Sequence, residues 1–188
     1  LDMTARKNLE LTETLRNKEK RGSLLWVMDS TKTSMGKRLL KTYIEQPLMS
    51  PARIIDRLNA VDALTKNSIV LMELQELLDR VYDIERLMTR VMYKTATPRD
   101  LKALSLTSLQ LPAIKEQLAR LSDARLLNSL DADIFTLDEI SALIENAIED
   151  EPPVNVKDGN VIKKGFNKQL DELRDIIENG NGIIEKIE

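Results

Sequence analysis

Met35-Gly36-Lys37-Arg38 contains a Gly-Lys pair of the kind that cradles phosphate. A phosphate loop also needs glycine five residues before the second glycine, where Thr31 stands. It needs Ser or Thr after the lysine, where Arg38 stands. Gly36 is therefore read as a point where another backbone or side chain comes close. Lys32, Lys37, Arg38 and Lys41 form a local basic cluster that could touch a phosphate. No aromatic residues alternate with these charges as a stacking platform requires, so a solvated or salt-bridged face is the favoured reading. The acid groups Asp131/Asp133 and Glu149/Asp150/Glu151 fall at expected caps and loop edges, where they suit helix starts and solubility. No nucleophile, base or pocket-forming glycine accompanies them.

The chain has no Cys and no His. Thiolate nucleophiles, the usual structural zinc sites, disulfides and histidine bases are excluded together. Oxygen-only metal sites remain open, but no loop has calcium-binding spacing. Catalytic, cofactor and metal residues are accordingly expected to be none, and the chain is not read as an enzyme by itself. The net charge of −3 argues against autonomous binding to a nucleic-acid backbone. No apolar run reaches membrane-spanning length and no signal peptide opens the chain, which suggests a cytoplasmic protein. The first residue is Leu1 and the last ones sit in a helical pattern, as in a piece of something longer.

These side chains must be positioned by helices. The 188 residues suffice for one domain, and only 3% are aromatic, so Leu, Ile, Val and Met must build the core by helix-on-helix packing. Leu74, Leu77, Val81, Ile84, Met88 and Val91 step 3-4-3-4-3, predicting one long helix from Ile69 to Met92, about 35 Å of rod on which the rest would pack. Asp83 and Arg86 are spaced to pair along its outer face. Thr97-Pro98-Arg99-Asp100 reads as a capping box with proline at the first helical position.

Elsewhere, alternation around Asn8–Thr12 suggests a short N-terminal strand, and Ser23–Asp29, with the single Trp26, a compact turn or short helix. Thr33 or Ser34 can cap a helix burying Met35, Leu39, Leu40, Tyr43 and Ile44, and Pro47 ends it. Ser50-Pro51 opens another, with Ile54, Ile55, Leu58, Val61, Asp62 and Leu64 giving it an amphipathic face. Helices are expected over 98–109 and 112–121, with a looser leucine-rich stretch near 126–130. Thr136–Glu139 has the form of a second capping box, and Val154–Lys163 that of a small β-hairpin turning at Asp158-Gly159. A last helix should begin near Asn167 with a seam at Leu170, Leu173, Ile177, Gly180, Ile184 and Ile187. Asn179–Gly182 alone would be a turn. The unbroken seam favours a continuous but weak helix, with Gly180 and Gly182 as a candidate flex point.

Several stretches, in order and over nearly the whole chain, resemble the core (lever) domain of bacterial MutS-type DNA mismatch-repair proteins. They are Asn8–Leu11, Gly22–Asp29, Thr31–Leu40, Gln46–Leu48, Val81–Leu87, Pro98–Leu101, Pro152-Pro153, Asp158–Ile162 and Gly165–Asn167 with Leu170–Arg174. Ala5-Arg6-Lys7 departs slightly from the family's lead into Asn-Leu-Glu. The resemblance implies a mainly α, multi-helix core domain over residues 1–165, with 166–188 the start of the long helix toward a DNA-contacting clamp. Trp26, Gly36, Arg38, Asp83 and Arg86 would then serve structure and packing. It implies a parent homodimer that clasps mismatched double-stranded DNA and uses ATP and Mg in another domain, this piece linking the two. Two other readings compete. One is a free-standing helical scaffold binding a protein through its terminal seam; the other is a direct nucleic-acid binder using residues 32–41.

Overall fold

The computed structural model describes residues 3–184, with side chains from 4 to 177. Its elements are α1 (Met3–Asn8), α2 (Leu24–Met28), α3 (Ser34–Glu45), α4 (Pro51–Lys66), α5 (Ser68–Asp79), α6 (Ile84–Met92), α7 (Pro98–Ser108), α8 (Leu111–Ala119), α9 (Arg125–Asp133), α10 (Asp138–Ala147) and α11 (Lys168–Ile184).

Two cores divide the helices from α4 to α10. α4, α5, α8 and α9 enclose Ala60, Val70, Leu74, Ile114, Leu118, Leu121, Ala124 and Leu127. α6, α7 and α10 enclose Leu87, Leu104, Ile144, Ala147 and Ile148. The α5–α6 and α7–α8 connections both cross from one core to the other.

The expected rod at 69–92 is thus two helices. α5 ends at Arg80, whose N–H bonds back to Leu77 and Leu78, and α6 starts afresh with Asp83 as its N-cap. The apolar spacing runs on unchanged across the break because Val81 packs on the first core while Ile84 packs on the second.

The N-terminal strand is absent too. The carbonyls of Glu10 and Leu11 accept from the N–H groups of Leu24 and Leu25 at 3.1 and 2.9 Å, so this backbone caps the start of α2. Only Leu11 of the alternating pair is buried; Leu9 is exposed. The hairpin is replaced by a 3-10 turn at Val156–Asp158 followed by Gly159 at φ +75°. Val154 and Val156 are exposed, so that segment has no apolar face to dock as a strand. One isolated antiparallel bridge, Ile148 to Ile162, ties the loop to the end of α10.

Local capping behaves as the residues suggest in most places. Thr97 and Asp100 form the full capping box, with Asp100 N–H to Thr97 Oγ1 at 3.2 Å and Thr97 N–H to Asp100 Oδ2 at 2.9 Å. Ser23 caps α2, Thr33 caps α3, and Asn167 Oδ1 accepts from Leu170 at the start of α11. Thr136 does not cap α10: its hydroxyl donates to Asp138, and Leu137 occupies the cap position.

Two buried faces also differ from expectation. α4 turns Ala60, Ala63 and Leu64 inward and leaves Ile54, Ile55, Leu58 and Val61 at the surface. Small side chains let α4 approach its neighbours closely, and the bulky ones are then left outside. α3 buries none of its residues. α11 runs without a break through Asn179–Gly182. Leu173 and Ile177 on its seam are exposed; the seam side chains past Ile177 lie outside those described, and Ile187 lies outside the described residues altogether.

Candidate functional site

The junction between the two cores gathers most of the singled-out residues. The chain leaves α5, and Tyr82 N–H donates to Thr107 Oγ1 at 3.0 Å. Thr107 is fully buried near the end of α7, so this one bond ties the α5–α6 crossing to the α7–α8 crossing. Asp83 follows and serves three donors. Its Oδ1 accepts the Arg86 backbone N–H at 3.3 Å, capping α6. Arg38 from α3 forks onto the same carboxylate, Nη1 to Oδ2 at 2.7 Å and Nη2 to Oδ1 at 2.8 Å, a bidentate geometry only arginine can make. The Arg86 side chain adds a contact of 3.4 Å, and Arg38 also reaches Glu85. The Arg38 fork, opposed by partial burial and helped by the Arg86 N–H, holds the Asp83 carboxyl below the usual aspartate range. Arg38, bonded to Asp83 and Glu85, is pushed further up.

Thr33 orients Arg38 by fixing the start of α3. Its Oγ1 accepts the Gly36 N–H at 2.9 Å, and a Cβ on Gly36 would sit 2.9 Å from that oxygen. Gly36 is thus where the capping hydroxyl comes close. Trp26 lies half exposed on α2 and anchors neither core.

The basic cluster is mostly engaged with carboxylates. Lys37 lies 3.5 Å from Asp29, which Lys20 holds at 2.6 Å and Thr31 at 2.7 Å. These hydrogen bonds, Lys20's first, push the Asp29 carboxyl well below its usual range. Lys41 pairs loosely with Glu45 at 3.8 Å, and Arg38 belongs to Asp83. Lys32 is exposed and makes no ion pair among the described residues. Charges committed to carboxylates are poor phosphate ligands, since each must first give up its partner.

Asp131 and Asp133 lie in the last turn of α9, the unfavourable end of the helix dipole for an acid; Lys115 offsets Asp131 at 3.2 Å. Asp150 follows α10 and belongs to a polar network absent from the sequence reading. Lys102 is buried on α7, its Nζ 2.7 Å from Glu145 and 3.4 Å from Asp150. Ser105 donates to Glu145 at 2.7 Å and meets the Ser141 hydroxyl at 3.0 Å; Lys163 donates to Asp150 at 2.7 Å. Lys102, then Ser105, lower the Glu145 carboxyl. The signal was Lys102 and Ser105, three apart on one face of a helix otherwise rich in leucine. Replacing Glu145 with Ala leaves Lys102 only its longer contact to Asp150, and should cost about 1 kcal/mol, water reaching this edge limiting the loss. Urea unfolding checks it; an unchanged midpoint would mean the network contributes nothing.

This arrangement can brace helices against each other. No group of three or more His, Cys, Asp or Glu among the described residues is placed to hold a metal, and no described helix is long and apolar enough to cross a membrane.

Comparison with known proteins gives a consistent family. The profile of MutS domain III matches residues 4–187. The DNA mismatch repair protein MutS of Lachnoclostridium phytofermentans is 46% identical over 93% of this chain and 19% of its own length. The proteins of the same name from Acetivibrio thermocellus and Ruminiclostridium cellulolyticum are 47% identical over 100% and 48% over 93% of this chain, covering 22% and 20% of themselves. The chain therefore spans about a fifth of the length of these relatives.

Proposed function

The chain belongs to the MutS domain III family, and from that premise we propose that it is the load-transmitting core of a DNA mismatch-repair protein. In this reading the parent is a homodimer that binds mismatched double-stranded DNA and hydrolyses ATP with Mg elsewhere in its chain. These residues link the ATPase to the DNA-contacting clamp.

The observation that carries the reading is the junction at Tyr82-Asp83. A strut must resist bending where its segments meet. Here the joint is held by a cap, a bidentate ion pair and a bond between the two crossings, all within three residues. Displacement entering one core would then emerge at the other with little lost at the joint. The unbroken α11 supports a continuation toward the clamp.

The experiment tests the flex point in the intact parent protein. Gly180→Ala with Gly182→Ala should stiffen α11 by about 1 kcal/mol per site and weaken the coupling between ATP and DNA affinity. Unchanged coupling removes the flex point from the mechanism. The scaffold alternative keeps one supporting observation, the exposed Leu173, Ile176 and Ile177. It requires a protein partner captured by α11 that is not part of the parent chain.

A further inference from the structure

α2 turns most of its apolar side chains to solvent. Of its five residues only Leu25 is buried; Leu24, Trp26, Val27 and Met28 are each 43% exposed or more. The backbone sets two further leucines beside them. Leu24 N–H donates to the Glu10 carbonyl at 3.1 Å, and Leu15 N–H donates to Glu10 Oε1 at 2.7 Å, which brings exposed Leu9 and Leu15 to the border of α2. Large apolar side chains gathered in this way, unlike single surface leucines, mark an interaction surface. Trp is also the residue type most often found as its anchor.

The rim of this patch is cationic. From Arg16 to Lys41 the chain has eight Lys and Arg and only two acids, Glu19 and Asp29, although its total charge is −3. Arg38 is committed to Asp83 and Glu85. Lys20 and Lys37 share the one carboxylate of Asp29, next to Met28, so positive charge is left over at that end of α2. Arg16, Lys18, Arg21 and Lys32 stand exposed.

An occupant that suits this surface carries both carboxylates and apolar side chains. A nucleic-acid backbone supplies the charge but nothing to pack on Val27 and Met28, and one Trp is no stacking platform. A lipid surface supplies both, but α2 has five residues, too short an apolar face to lie in a membrane interface. We propose that the α2 face docks an acidic, amphipathic segment of a partner protein, with Trp26 as the central anchor and the surrounding Lys and Arg steering its approach. Such docking is independent of any load carried through the joint at Tyr82-Asp83.

A fluorescein-labelled synthetic peptide of Glu, Asp, Leu and Phe, titrated with this chain and followed by anisotropy, tests it. The emission of Trp26 should shift to the blue as the peptide covers it, a signal with one source because the chain has a single Trp. Raising salt from about 0.05 to about 0.5 M should weaken binding about threefold or more. Trp26→Ala should weaken it about tenfold or more, and Val27→Glu should do the same through the added charge. Both side chains are exposed, so the fold should survive, which unchanged circular dichroism verifies. Leu58→Ala, on α4, should leave the affinity as it was. Absence of binding overturns the docking surface. Equal binding of a peptide with Lys in place of the acids overturns the role of the rim, and equal binding of a peptide of Glu and Asp alone overturns that of the apolar patch. Duplex DNA or anionic vesicles that displace the peptide, and whose own binding Trp26→Ala weakens, would assign the face to nucleic acid or lipid instead. Self-association lost in Trp26→Ala would assign it to a second copy of the chain.

Discussion

Leu118→Ala should lower unfolding free energy by about 3 kcal/mol, the largest loss expected from a single side chain here. Leu118 is buried on α8, in the core it shares with Leu74 of α5 and Leu127 of α9. Truncation removes three methylene-sized groups from water-excluded contact and leaves a cavity that helices held on several sides cannot close. The surface comparison is Leu58→Ala, a leucine 62% exposed on α4, which should change stability by less than about 0.5 kcal/mol. Urea midpoints at constant slope measure both. A loss under about 1 kcal/mol at Leu118 would mean that α4, α5, α8 and α9 do not form a fixed core. With two cores, the transition shape also matters. Leu118→Ala should shift a single transition rather than split it, because the bond from Tyr82 to Thr107 joins the two crossings between the halves.

Several helices were legible in the sequence, as were the caps at Thr97 and Thr33, because capping is local. Thr97 needs only Asp100, three residues on, and Thr33 needs only the first turn of its own helix; Ser23 and Asn167 cap in the same local way but were not singled out as caps. The break at Tyr82-Asp83 was hidden by periodicity, which counts apolar positions and cannot tell one core from two. Asp83 itself was the available sign, a residue type favoured at helix starts, standing inside a supposed helix. Its partner was not readable: Arg38 is 45 residues away, and no local rule pairs them. α4 misled for another reason. Its bulky stripe suggested an inner face, but the core takes Ala60, Ala63 and Leu64, and Leu58 and Val61 stand exposed. Lys102 drew no notice, since a buried lysine cannot be told from a surface one unless its acids are known in advance. The family resemblance was legible throughout, because ordered short matches survive where single motifs carry little weight.

Asp83→Ala should cost about 2 kcal/mol and reshape the acid limb of stability. About half of the loss is the missing cap on α6, the typical cost of an aspartate N-cap removed. The remainder is the Arg38 fork, discounted because Arg38 is partly in water. The sign of the pH effect follows from a folded-state carboxyl held below its unfolded value of about 3.9. Such a group contributes stability that is fully present above that value and is lost as pH falls through the lower folded one. Glu145, lowered by Lys102, and Asp150, lowered by Lys163, act in the same direction. The unaltered protein should therefore hold constant stability above about pH 5 and lose it progressively below about pH 4. Asp83→Asn separates the two contributions: the amide oxygen can still cap α6, but the charge that grips Arg38 is gone. It should recover part of the stability lost in Asp83→Ala at neutral pH, while both variants show an acid limb shallower by up to one proton. Urea unfolding at a series of pH values measures this. An acid limb unchanged in Asp83→Asn would mean that Arg38 does not hold Asp83 in solution, and the joint would then rest on Thr107 and the cap alone.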